Sequence, residues 1–284
     1  MKTLLFDYEM KIVFDAPVSD HRFTVRCIPL DSERQKIRKL SYSIYPDSSL
    51  ETGFSQGTDS FGNFCVYGEC SRPHEHFSIQ VKGEAVSGLS DHESAEALHM
   101  LGRFRYPSHY TRPGENLLAY HRKFTFPDSD TAMEKSIVMM RRLYRDFLYV
   151  PGATSVSTTA EEAMTLGRGV CQDYSHILIA LCHMERIPAR YVVGMLEGEG
   201  ASHAWVEIYD RGSWYALDPT NNLIVSDSHI KISHGRDYKD CLINQGVFTG
   251  QAGQRQEIYV SVKEEEKRSG ENDTNSDTIN ITGG

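Results

Sequence analysis

Nothing in this 284-residue chain approaches the roughly 20 consecutive apolar positions that a bilayer-crossing helix requires. The opening residues Met1-Lys2-Thr3-Leu4-Leu5-Phe6-Asp7 turn acidic too early to form the core of a secretion signal. Both absences lead us to expect a cytoplasmic protein that does not engage a membrane. An excess of positive charge is missing too. The formal net charge is −9, and residues 264–284 alone hold six acids against two bases, so no basic stripe offers itself to nucleic acid. Cysteine is sparse: Cys27, Cys65, Cys70, Cys171, Cys182 and Cys241, expected as free thiols in a reducing compartment. Cys70 followed by His74 and His76 comes nearest to a zinc ligand set, but it lacks paired Cys-x-x-Cys elements. A solvated edge strand accounts for that segment, and we expect no metal. There is no internal repeat.

A hydrophobic fraction of 39% and a charged fraction of 24% suit a soluble globular protein, and the length allows two domains. Residues 1–88 alternate apolar and polar positions, as in Phe23-Thr24-Val25-Arg26-Cys27-Ile28 and Phe77-Ser78-Ile79-Gln80-Val81. Turn residues part these runs, which predicts an antiparallel β-sandwich. Residues 131–263 read as an α+β catalytic domain, and residues 89–130 as a connector packed on it, with a helix hinted at by Ala95, Leu98, Leu101 and Phe104. Within the catalytic domain, an amphipathic helix over 130–147 leads to a short helix capped by Thr158 or Thr159, then a helix after Cys171 and a strand at 190–195. A hairpin and a return strand near 256–263 complete an antiparallel sheet with helices on one side. Residues 264–284, rich in Glu, Ser, Asn, Asp and Gly, read as a disordered acidic tail.

Three segments carry chemistry. Cys171 follows Gly167-Arg168-Gly169-Val170 and precedes a run with helical apolar spacing through Tyr174, Ile177, Leu178, Leu181 and Cys182. That places it at a helix N-terminus, where unpaired N–H groups and the macrodipole favour an anion. A thiol so placed is acidified into a range of roughly 3.5–7.5, and the same helix end can donate an N–H to an oxyanion. Taken alone, Cys171 reads equally well as a small buried residue. Asp173 suits the first helical turn while adding negative charge near the sulfur.

Residues 202–208 and 213–218 form the hairpin. A four-residue loop, Tyr209-Asp210-Arg211-Gly212, would pair Ile208 with Ser213 and set His203 opposite Asp218. Directly opposed residues hold their Cβ atoms about 4.5–5.5 Å apart, close enough for Asp218 to accept from the Nδ1–H of His203. A thiol, an imidazole that takes its proton and a carboxylate that orients the imidazole make a nucleophilic set.

With these residues in view, the chain resembles the transglutaminase-like superfamily of papain-like cysteine enzymes, and within it bacterial members often labelled cysteine proteases. The similarity runs from Phe147-Leu148-Tyr149-Val150-Pro151-Gly152-Ala153-Thr154 through Gly169-Val170-Cys171-Gln172-Asp173 and Ile187-Pro188-Ala189-Arg190-Tyr191-Val192. It continues through Ser202-His203-Ala204-Trp205-Val206-Glu207 and Asp218-Pro219-Thr220-Asn221 to Gly235-Arg236-Asp237-Tyr238-Lys239-Asp240. The segment Asp59-Ser60-Phe61-Gly62-Asn63 is similar to the β-rich region that precedes the catalytic domain in this group. The resemblance implies Cys171 as nucleophile, His203 as base and Asp218 as orienter, with no metal or organic cofactor. It also points to Tyr149 as a second oxyanion donor. Gln172 joins Tyr149 as an oxyanion or substrate candidate, Trp205 and Trp214 would wall the cleft and contact substrate there, and Arg236, Asp237 and Asp240 would border the site after the return loop. Arg186 stands where the group usually has a glycine suited to a left-handed helix end, and His183 stands where an arginine is common. The implied activity is acyl chemistry at an amide of a protein or peptide, with hydrolysis favoured. Amine transfer, acyl transfer from a thioester and a non-catalytic scaffold are the alternatives. Oligomeric state is not legible.

Overall fold

The computed structural model of the chain describes residues 1–46, 54–94 and 98–265. The expected acidic tail lies outside them apart from its first two positions, as does Ala95 of the hinted connector helix; Leu98–Phe104 form a 3-10 helix. The first part of the chain is all β: β1 Lys2–Val25, β2 Gln35–Tyr45, β3 Ser55–Thr58, β4 Phe64–Cys70 and β5 His74–Ser87. The connector supplies β6 (His92–Ser94) and α1 (Glu115–His121), followed by α2 (Ala132–Asp146), β7 (Leu148–Tyr149), α3 (Ala160–Leu166) and β8 (Arg168–Gly169). Then come α4 (Cys171–Met184), β9 (Ala189–Leu196), β10 (Gly198–Gly200), β11 (His203–Asp210), β12 (Ser213–Asp218), β13 (Leu223–Ile224) and β14 (His229–Gly235). The described chain ends with β15 (Asn244–Thr249) and β16 (Gln254–Glu264).

β1 owes its length to strict alternation. Leu4, Phe6, Tyr8, Met10, Ile12 and Phe14 are all buried, while their odd-numbered neighbours face outward. Around Pro17 the pairing slips between Val13 and Val18, and Asp20 takes a left-handed φ of 48°. The strand thereby bends out of one half of the sheet, where β5 and β16 flank it, into the other, where β4 and β15 do. One curled antiparallel sheet thus provides both faces of the expected sandwich. His21 meets Phe14, Phe23 and Phe77 edge to face inside the curl, and Phe23 packs on Phe77 at a tilt.

The second sheet runs β13-β12-β11-β9-β14, with β6 also pairing β12. The expected return strand departs from the sequence reading. Residues 254–264 pair with β1 of the first sheet, from Leu4 opposite Glu264 to Phe14 opposite Gln254. β14, unforeseen, takes the place beside β9. The connector also differs from expectation by lending β6 to the second sheet.

α2 starts on a capping box between Thr131 and Glu134, α3 on one between Thr159 and Glu162. α4 is apolar nearly all round and buried from Gln172 to Cys182. It packs with Ala204, Val206 and Ile208 of β11 in one core, while His203, Trp205 and Glu207 alternate with them toward the other face. At its C-terminal end Arg186 has φ 59°, the left-handed geometry that a glycine would adopt without strain, and the Ile187 N–H reaches back to the Cys182 carbonyl.

Candidate active site

The start of α4 is built by a carboxylate. Asp173 Oδ2 accepts the Val170 N–H at 2.7 Å and the Thr154 hydroxyl at 2.6 Å, closing the first turn and drawing the 150–156 loop onto it. The carboxylate needs Gly169, since a Cβ there would sit 2.4 Å from Asp173 Oδ2. Burial raises the Asp173 pKa, and the bonds from Thr154 and Val170 oppose that rise. Gln172 turns its amide to the Val156 carbonyl at 3.1 Å. It therefore secures the loop, a different use from the substrate contact expected for it.

Cys171 is half-buried, whereas the five other cysteines are buried. Its neighbour is His203, at the beginning of β11. Burial alone would lower the His203 pKa, but the hydrogen bond that it donates to Asp218 and the contact with Cys171 outweigh it and raise the value to about 10. His203 Nε2 lies 2.7 Å from Asp218 Oδ2, which leaves Nδ1 as the ring nitrogen available to the sulfur. This reverses the expected assignment of the carboxylate to Nδ1.

The hairpin explains how the pair forms. Its loop has two residues, with φ of 46° at Arg211 and 95° at Gly212, the positive pair of a tight primed turn. Asp210 thus faces Ser213 and Ile208 faces Tyr215, two positions away from the expected register. Shifting by two preserves the face on which every side chain lies. His203 and Asp218 still meet, on a diagonal.

Asp218 is fully buried and saturated with donors. Oδ1 accepts the backbone N–H groups of Thr220 at 3.0 Å and Asn221 at 3.1 Å, an Asx-type turn closed by Pro219. Oδ2 accepts from His203, from the Asn221 side chain at 2.7 Å and from His229 Nε2 at 3.2 Å. Burial works to raise its pKa, and the two histidines and Asn221 carry it well below the usual carboxylate range. His203, Asp218 and His229 hold three potential metal-ligating atoms within 4.8 Å of one another. Three N–H donors on Oδ2 make this a hydrogen-bonded carboxylate in place of an open metal cradle.

Tyr149, half-exposed, pairs with Gly169 two residues before Cys171; burial and then the sulfur's charge raise its phenol pKa. Trp205 does not wall an open cleft. It is buried beneath His203 and His229, with ring centroids 6.2 and 5.2 Å away. Trp214 is buried too, carrying the Arg190 guanidinium over its ring at 4.3 Å. Arg236 pairs with Asp240, and the Asp237 side chain caps the 3-10 turn Tyr238–Cys241. These residues reach α4 through the Tyr238 N–H, which donates to His176 Nε2 at 3.1 Å. Arg236, Tyr238, Tyr110 and Val156 line a cavity of about 500 Å³. Since Gln172 and His176 tether two of its walls, this cavity flanks the first turns of α4. A larger one, about 680 Å³, lies in the β-rich unit between Phe23, Tyr67 and Val247, away from the thiol. Cys70 does approach His74, at 3.6 Å, but His74 turns its other nitrogen to His21 at 3.1 Å and His76 is exposed, so the three do not converge.

Sequence reasoning passed over Thr154, Asn221 and His229. The Asp218-Pro219-Thr220-Asn221 turn could have revealed Asn221, because an aspartate beginning a turn accepts N–H groups two and three residues on. His229 had no local signal, since it arrives by the long-range pairing of β14 with β9.

Comparison with known proteins agrees with this architecture. Residues 119–219 match the model of the transglutaminase-like superfamily and residues 6–86 that of the bacterial transglutaminase-like N-terminal region. The crystal structure of a putative cysteine protease from Cytophaga hutchinsonii superposes with a TM-score of 0.74 at 22% identity, covering 94% of this chain and 92% of that one. The uncharacterized protein ML0607 of Mycobacterium leprae is 33% identical over 139 residues, 45% of this chain and 50% of that protein. The chain thus spans about half the length of that relative. The uncharacterized protein Rv2569c of Mycobacterium tuberculosis is 26% identical over 229 residues, 68% of this chain and 72% of its own.

Proposed function

Because the chain belongs to the bacterial transglutaminase-like branch of the transglutaminase-like superfamily, we propose that it is a cysteine-dependent enzyme that cleaves amide bonds in proteins or peptides. The observation that carries this reading is the placement of the half-buried Cys171 at the start of α4, with His203 between it and the saturated Asp218. The name of the Cytophaga neighbour is in keeping with it.

In the proposed cycle the thiol proton resides on His203 Nδ1, and the imidazolium is held by Asp218 through Nε2–H. The sulfur attacks the substrate carbonyl carbon, forming the S–C bond while the carbonyl electron pair moves to oxygen. The Cys171 backbone N–H, at the first position of α4 where no intrahelical acceptor exists, faces that oxyanion, and the Tyr149 hydroxyl is the second donor. Collapse breaks the C–N bond as His203 gives its proton to the leaving amine. His203 then takes a proton from water, the oxygen attacks the thioester, and the C–S bond breaks to return the thiol. An amine in place of water would give a transferase with the same residues; water is the default acceptor where a half-exposed sulfur meets solvent.

Activity-based labelling of the purified protein, followed by peptide and isopeptide libraries, tests the proposal. Turnover of a library member by the wild type, lost in Cys171→Ala with the fold retained, supports it. Full turnover by Cys171→Ala refutes it. An adduct from acyl-thioester donors with no amide turnover would move the assignment to acyl transfer. A Cys171 no more reactive than an ordinary thiol would point to a scaffold.

A further inference from the structure

His229 lies beyond the region matched to the superfamily core and takes part in no step of the proposed cycle. It opens β14, opposite Leu196 of β9, and is only 3% exposed. Its Nε2 lies 3.2 Å from Asp218 Oδ2, the same oxygen that His203 Nε2 approaches at 2.7 Å. Two imidazoles therefore share one oxygen of one carboxylate, and each donor withdraws charge that the other would otherwise feel.

The ring is held for that contact. The Trp205 indole meets it edge-on at 5.2 Å and 81°. The Ser228 hydroxyl lies 3.4 Å from Nδ1, placed to donate there and leave the single ring proton on Nε2. The β-rich unit anchors the backbone. Ser87 Oγ donates to the His229 carbonyl at 2.8 Å, and Gln35 exchanges two hydrogen bonds with Lys231. Burial lowers the His229 pKa despite Asp218, with His203 and Arg34 acting in the same direction as burial, so the ring is a neutral donor.

We propose that His229 is a positioning residue: by donating Nε2–H to Asp218 it shares the carboxylate with His203 and loosens the hold on the imidazole proton that the leaving group must receive. The inference rests on the proposed roles of Cys171, His203 and Asp218. Its physical content concerns only the three side chains His203, Asp218 and His229, so it is testable without turnover. A merely structural histidine would leave the His203 titration where it is.

The experiment is a ¹⁵N ring titration of the full-length protein in the Cys171→Ala background, where the sulfur no longer contributes. His229→Leu is expected to move the His203 titration upward by about one pH unit, a tenfold stronger hold on the proton. His229→Gln, whose amide can donate to the same oxygen, is expected to restore most of the original value. An unchanged or lowered His203 titration in folded His229→Leu would overturn the proposal. Should His229→Leu fail to fold, the protein with native His229 decides: a proton on Nε2 of His229 is required, and a proton on Nδ1 alone refutes the inference. Failure of the acyl chemistry would be seen separately, as Cys171→Ala retaining turnover.

Discussion

Replacing Asp218 by Asn is the perturbation whose consequences the site fixes most tightly. The carboxamide fills nearly the same volume, so Thr220 and Asn221 can keep their backbone bonds to its oxygen. The negative charge that faces His203 Nε2 at 2.7 Å is gone. A hydrogen bond to a buried charged group contributes about 1.5–3 kcal/mol, equivalent to about one to two pKa units. The His203 titration, raised to about 10 by Asp218 and Cys171 against the pull of burial, should fall by that amount. Turnover of a library substrate should drop by about 10²–10⁴, the upper figure being the known cost of the equivalent change in a serine triad. Stability carries the same signature. The folded value of His203 lies above its ordinary 6.5, so its contribution is complete below about pH 6.5 and lost as pH rises through about 10. Asp218 is depressed below its ordinary 3.8, so its share is complete above that value and lost on acidification. The gap in unfolding free energy between wild type and Asp218→Asn should thus be widest between about pH 4 and 6.5 and narrow steadily toward 10. Urea unfolding across that range, beside ring NMR, is the assay. A gap that widens on going from pH 7 to 10, or a His203 titration that stays put, would refute the reasoning.

Three further outcomes are expected. Arg186→Gly should stabilise the protein by about 0.5–1 kcal/mol, because Arg186 holds φ 59° where glycine is unstrained and the gain is partly offset by the freer unfolded chain; a lower midpoint in urea would contradict this. Gly169→Ala should destabilise by about 1–3 kcal/mol and slow labelling of Cys171, since the new Cβ would press on Asp173 Oδ2 and uncap Val170; a neutral effect on both would show that the cap is dispensable. Thr154→Val should leave the fold intact and loosen the 150–156 loop, read as faster amide exchange there, because Asp173 would lose its 2.6 Å hydroxyl partner; unchanged exchange would argue against the tether.

Local chemistry is legible in the sequence and long-range pairing is not. The helix after Cys171, a cap at Thr158 or Thr159 and the alternation of β1 depend on residues within a few positions of one another, and each is readable as such. The hairpin shows the boundary between the two. Its turn reads as four residues in the sequence, whereas positive φ at Arg211, a residue that seldom adopts it, shortens the loop to two. The functional pair survives the difference because strand side chains repeat every second residue. β14 and β16 illustrate the other limit. Both are alternating segments late in the chain, yet the second one pairs with β1 of the other sheet, where Val260 and Val262 are buried. His229 is hidden for the same reason. Arg186 departs from the family pattern, and the backbone absorbs it by adopting the glycine-like conformation with an arginine.

The most direct measurement is the rate of iodoacetamide labelling at neutral pH, read residue by residue by mass spectrometry on native wild type and on His203→Ala. The account predicts one fast adduct, on Cys171, that slows at least tenfold when the imidazole is removed. Equal rates in the two proteins, or label spread over the buried cysteines before Cys171, would contradict it.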